Sequence, residues 1–136
     1  MNAVLDASAA AALVLPDEDS SRIQSLLNKL DSRSEIFIPS LWWFEIANIL
    51  LVAGKRKRIT LAQSETAMKL LMKLPVVTDD MAGNKYLESL VSYASRHGLS
   101  AYDAAYLELA KRKKAVLVSS DKMLCRAAKK EEFVVF

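Results

Sequence analysis

The sequence has one cysteine, Cys125, and one histidine, His97. A single thiol rules out an intrachain disulfide, and a chain of 136 residues needs none. A domain of that size buries roughly 70% of the surface its unfolded form exposes. A reducing, cytoplasmic setting is the simplest expectation. A single histidine excludes acid–base catalysis by a histidine pair, and its place beside Gly98 reads as a helix-end group. No GxxxxGK[ST] phosphate loop, HExxH or CxxC pair is present, which removes several common enzyme classes. The apolar run Ala9 to Leu15 is too short to span a bilayer, and no basic segment precedes AVLD, so no membrane role is expected. Repeats, low-complexity tracts and long Gly/Pro/Ser linkers are also missing, so residues 1–136 read as one domain.

What is present is alternation. The short apolar runs AVLD, IFIP, VVT, AVLVSS and FVVF read as five strands, separated by segments long enough for helices. That order predicts an α/β fold with a parallel sheet covered on both faces. Helix punctuation agrees. Asp17 to Asp19 open a helix through Leu30, and Pro39-Ser40 precede one from about Leu41 to Ala53. Thr60 caps a helix through Leu74, and Ser120 or Asp121 caps another toward Lys130. Gly54 and Gly98 read as C-terminal stops.

The formal net charge is only +3, but basic residues cluster at Lys55 to Arg58, Lys111 to Lys114 and Lys129 to Lys130. Such clusters attract a polyanion; each alone also suits a solvated helix C-terminus. The acids are more informative. Asp6 and Asp121 directly follow strands, where open parallel sheets place their ligand sites, although both positions also suit helix caps. Glu45 lies in LWWFEIANILL, on a helix apolar nearly all round, sharing a face with Leu41, Trp42, Ile49 and Val52. A carboxylate there must find a cation, a metal or hydrogen-bond donors, or else neutralise. Asn48 follows one turn later. Asp103, in GLSAYDAAYLELA, fits a capping box with Ser100, yet its helical projection groups it with Tyr106, Leu107 and Ala110. Glu108, Lys111 and Arg112 fall on another face, which reads as the exposed one. Four carboxylates converging on one cavity would suit a hard cation such as Mg²⁺ or Mn²⁺. Asp79 and Asp80 read as a turn or cap, and Trp42 and Trp43 as core or interface.

The order AVLDASA, WWFEIAN, GLSAYDAAYLELA and VLVSSDKML resembles the PIN-domain ribonucleases, most closely the VapC-type toxins of toxin–antitoxin pairs. The resemblance spans nearly the whole chain. It implies a three-layer α/β/α sandwich around a central, mainly parallel five-stranded sheet, with an acidic site at the sheet's carboxyl edge. The family's acids fall on Asp6, Glu45, Asp103 and Asp121. Of these, Asp6 and Asp103 are the expected main metal ligands. Ser8, Asn48 and Ser119 are expected to support the site, Ser119 standing where the family usually has threonine. The implied activity is Mg²⁺-dependent hydrolysis of an RNA phosphodiester, with Mn²⁺ as substitute. Implied partners are a second copy, a VapB-type antitoxin, and promoter DNA reached only through that antitoxin. The rival readings are a phosphoacceptor receiver domain, a PIN nuclease of RNA processing outside toxin systems, and a catalytically inactive PIN-like module.

Overall fold

The computed structural model describes residues 1–136. Strand β1 (Ala3–Leu5) leads into helices α1 (Ala7–Ala12) and α2 (Ser21–Leu27), then β2 (Ile36–Pro39), α3 (Leu41–Lys55) and α4 (Leu61–Leu71). Strand β3 (Val76–Asp79), α5 (Asn84–His97), α6 (Ala101–Lys113), β4 (Val116–Val118) and α7 (Lys122–Lys130) complete the chain. The sheet order is β3-β2-β1-β4 and every pairing is parallel. Its two central strands are wholly buried, as apolar runs covered on both faces require. Helix α6 packs across β1, β2 and β4 and carries α5 and α7 against its sides, while α1 packs on α3. The strand order reverses at β1, whose neighbours β2 and β4 are reached by connections leaving in opposite directions. The crevice at the carboxyl ends of β1 and β4 is therefore the place where this topology presents a site.

The sheet has four strands, not five. FVVF reaches the β4 edge, where the Leu117 and Phe136 amides donate to the carbonyls of Val134 and Leu117 at 3.0 and 2.8 Å. Only one parallel bridge forms, Leu117 with Val135.

Three helix ends also differ from expectation. Helix α2 stops at Leu27 rather than Leu30, and α4 at Leu71 rather than Leu74. Helix α3 runs through Gly54 to Lys55, and the left-handed residue is Lys57 (φ 57°), closed by a bond from the Arg58 amide to the Ala53 carbonyl at 2.9 Å. The contacts beyond the turn set its place: Ile59 is buried, and Arg58 holds Asp17 through two bonds of 2.9 and 3.0 Å. Gly98 behaves as read, with φ 64° at the end of α5, and the Ser100 hydroxyl then caps α6. Thr60 and Gln63 form the reciprocal capping box of α4.

The two glycines should respond oppositely to alanine. Neither has an atom within 4 Å of an added Cβ, so backbone conformation alone decides. In urea unfolding, Gly98→Ala should lose about 1–2 kcal/mol from left-handed strain, whereas Gly54→Ala, inside α3, should gain roughly 0.5–1 kcal/mol.

Candidate active site

Asp6 is the residue immediately after β1 and is 5% exposed. One carboxylate oxygen, Oδ1, caps α1, accepting from the Ala9 amide at 2.7 Å and the Ser8 hydroxyl at 2.9 Å. The other accepts from the Ser119 hydroxyl at the end of neighbouring β4. Ser119, fully buried, also accepts from the Asp121 amide at 3.0 Å through the same oxygen, and its carbonyl receives the Arg22 guanidinium at 2.7 Å. Asp121 in turn caps α7 through the Leu124 amide at 2.8 Å. Both cap readings are thus correct, and in both cases the cap is what fixes a carboxylate at the sheet edge.

Glu45 and Asp103 arrive from helices. Glu45, half-buried on α3, accepts a 2.6 Å bond from the Tyr106 hydroxyl of α6. Asp103 lies in the first turn of α6, where its amide donates to Ser100 Oγ at 3.1 Å. The carboxylate makes no return bond to the Ser100 backbone, so only half of the expected capping box forms and the acid group stays free. All four acids, together with Ser8 and Tyr106, line one cavity of about 140 Å³. Asn48 is not among the lining residues; one turn beyond Glu45 it points to solvent, because α3 turns its buried side toward Trp42, Ile46 and Leu50.

How the fold treats its other acids sets this cavity apart. Six acidic residues are shielded from full solvent exposure: Asp6, Glu45, Asp79, Asp103, Glu108 and Glu131. Three of them are paired with cations. Asp79 and Glu108 share Arg112 at 2.7 and 2.8 Å, and Glu131 takes Arg96 at 2.6 Å and His97 at 2.8 Å. The other three, Asp6, Glu45 and Asp103, have no cationic partner, and all three line the cavity. The first group corrects two readings. Glu108 is buried rather than on an exposed face, and Asp79 is an ion-pair partner rather than only a turn residue.

The electrostatic consequence is opposite in the two groups. Arg112 holds Asp79 below the usual carboxylate range, and His97 and Arg96 do the same for Glu131. In the cavity, burial raises the Asp6 carboxyl, and Asp121 adds repulsion; hydrogen bonds from Ser119, Ala9 and Ser8 offset part of the rise. Burial likewise raises Glu45, opposed by Tyr106 and reinforced by Asp103 and Asp6, and it raises Asp103 with help from Asp121. Burial and the Glu45 carboxylate also raise the Tyr106 phenol, which keeps it a donor.

A hard divalent cation fits this donor set: carboxylate oxygens, raised toward neutrality and lacking any protein cation. No three acidic, histidine or cysteine side chains stand close enough to enclose an ion by themselves. An ion here would keep several waters and leave room for a phosphate, as Mg²⁺ does.

Tyr106 and Arg22 are site neighbours that are not among the expected site residues. Tyr106 is signalled by its place one turn after Asp103; Arg22 has no sequence signal, because it reaches Ser119 across 97 residues.

Raised carboxylates also set a pH dependence. The folded protein retains protons that the unfolded chain releases, so their contribution to stability is full below the ordinary value, about 4.3 for a glutamate. It declines as pH rises through the elevated values. Glu45→Gln removes one such group and keeps an acceptor for Tyr106. In chelator, it should melt higher than the parent at pH 8, with the difference closing toward pH 4; thermal unfolding across pH measures this.

Comparisons with known proteins agree with the geometry. The PIN domain family model matches residues 3–130. Ribonuclease VapC3 of Pyrobaculum aerophilum is 32% identical over 127 residues, covering 91% of this chain and 92% of that protein. The crystal structure of PAE2754 from Pyrobaculum aerophilum superposes with a TM-score of 0.72 at 22% identity, covering 99% of this chain and 89% of that one. VapBC2 from Rickettsia felis, solved bound to a DNA fragment from its promoter, gives a TM-score of 0.67 at 16% identity over 100% and 98% of the two chains. With a parallel sheet flanked by helices and an acidic cavity at its carboxyl edge, the chain belongs to the PIN-domain family, in its VapC-type branch.

Proposed function

We propose that the protein is a metal-dependent endoribonuclease, the toxin of a toxin–antitoxin pair. The observation that carries this reading is the convergence of the three shielded, cation-free acids on one cavity with Asp121 at the carboxyl edge of β1 and β4. The ribonuclease name of the 32% identical relative supports the substrate class. Asp6 and Asp103 would be the main ligands of Mg²⁺, with Glu45 and Asp121 completing the charge of the site. When bound, such an ion lowers the pKa of a water and neutralises charge developing on the scissile phosphate.

The chain's own residues do the rest. Ser8, the Ala9 amide and Ser119 fix both oxygens of Asp6, so the carboxylate has one orientation before any ligand arrives. The Tyr106 hydroxyl holds Glu45 turned into the cavity, where its raised proton affinity suits it to accept a proton from an attacking water. In-line attack would leave a 5′-phosphate and a 3′-hydroxyl. A receiver domain is disfavoured, since Asp6 is followed by Ala7 and Ser8 rather than by a second acid.

A VapB-type antitoxin is the natural inhibitor in this reading, and promoter DNA would be bound through it; the Rickettsia felis complex is the precedent. A homodimer would cover the exposed Trp43, Phe44 and Leu51 of α3. No helix is long and apolar enough to cross a membrane, and the cytoplasm is the compartment this function requires.

Purified protein should cleave structured RNA with Mg²⁺ or Mn²⁺ and lose the activity in EDTA. Asp6→Asn and Asp103→Asn should each lower the rate by at least about 100-fold while remaining folded, because asparagine also serves as an N-cap at position 6 and the Asp103 side chain makes no hydrogen bond that the fold would lose. Cleavage indifferent to chelator and to both substitutions would refute the proposal.

A further inference from the structure

A cavity lined by four acids repels the phosphates of any strand that enters it. Cations elsewhere on the surface must supply the attraction, and several of those in this fold are engaged. Arg58, Arg96 and Arg112 are in ion pairs, and Lys111 and Lys113 lie over the rings of Tyr93 and Phe37. Helix α7 differs. Lys122, Arg126 and Lys130 are all exposed and make no ion pair or side-chain hydrogen bond, while Leu124, Ala127 and Ala128 bury the opposite side.

The three cations stand four residues apart and so form one stripe, with steps of about 6 Å along the axis. That step is comparable to the spacing of successive phosphates in an extended strand. The stripe starts at the cavity, since Asp121, a lining residue, is the N-cap of α7 and Lys122 is its first residue. Helix stability does not call for Lys122, because a cation at a helix N-terminus opposes the helix dipole. Farther along, Met123, Arg126, Lys130 and His97 line a second hollow of about 100 Å³. The acid bonded to His97, Glu131, is already paired with Arg96 at 2.6 Å. Another free cluster, Lys55 to Lys57, lacks this continuity. It begins about 15 Å beyond Glu45 along α3, and the intervening exposed positions are Ala47, Asn48, Leu51 and Gly54.

We propose that Lys122, Arg126 and Lys130 form a rail that seats successive phosphates of the single-stranded RNA flanking the scissile bond. RNA therefore leaves the cavity along α7. This rests on the nuclease reading and adds the path of the substrate.

Fluorescence anisotropy of a short labelled single-stranded RNA of mixed sequence, on the Asp103→Asn background to prevent cleavage, tests the rail. Each lost phosphate contact lowers the slope of log affinity against log salt by about 0.7. Lys122→Ala, Arg126→Ala and Lys130→Ala together should therefore lower it by about 2. Each single substitution should give about a third of that, and Arg126→Lys should retain the parent slope. Removing the same charge by Lys55→Ala, Arg56→Ala and Lys57→Ala should leave the slope in place. On the catalytically intact chain, the α7 triple variant should raise KM and hold kcat within about two-fold, as loss of uniform binding requires. An unchanged slope, or an equal change from both triples, overturns the rail. If the parent still cleaves RNA in that case, the nuclease reading stands; if the parent neither binds nor cleaves RNA, both fail.

Discussion

The hydrogen bond from the Ser119 hydroxyl to the Asp6 carboxylate joins the ends of two adjacent parallel strands, and the cavity is organised around it. Each partner does several things at once. Asp6 also starts α1, while Ser119 accepts the Asp121 amide that precedes α7 and gives its carbonyl to Arg22. Two helix starts, two site acids and a cation at the rim are thereby tied to one buried contact. Replacing the family's usual threonine by serine keeps the hydroxyl on which this arrangement depends, and Ser119 remains fully buried.

The electrostatics run against stability where function is proposed and with it elsewhere. Arg112 ties the end of β3 to α6 through Asp79 and Glu108, and the Glu131 cluster ties the chain's last turn to α5. Cations are supplied to those acids, and Asp79 and Glu131 are held below the usual carboxylate range. In the cavity, burial and mutual repulsion raise Asp6, Glu45 and Asp103, and no lysine or arginine relieves them. Such an arrangement persists when a ligand cation is its reason, since a fold selected for stability alone gains nothing from leaving shielded carboxylates without partners.

The strands β1 to β4 and the caps at Thr60, Ser100 and Asp121 were legible because they depend on local chemistry: apolar runs, hydroxyl caps and strand-end acids. Convergence of the four acids was legible too, from strand ends and helix faces together. What sequence could not supply came from distant contacts. Arg112 draws Glu108 and Asp79 together, Arg58 and Ile59 carry α3 past Gly54, and α3 turns Asn48 outward. The C-terminal FVVF has strand chemistry but meets β4 at a single bridge.

The central claim is that the cavity's carboxylates are destabilised by one another and by burial until a divalent cation joins them. A nuclear magnetic resonance pH titration of the Asp6, Glu45 and Asp103 carboxyl groups, with and without Mg²⁺, tests it directly. The account predicts midpoints above the ordinary 3.9 to 4.3 or so in chelator, and a fall when Mg²⁺ is added. Ordinary midpoints that do not respond to Mg²⁺ would contradict it.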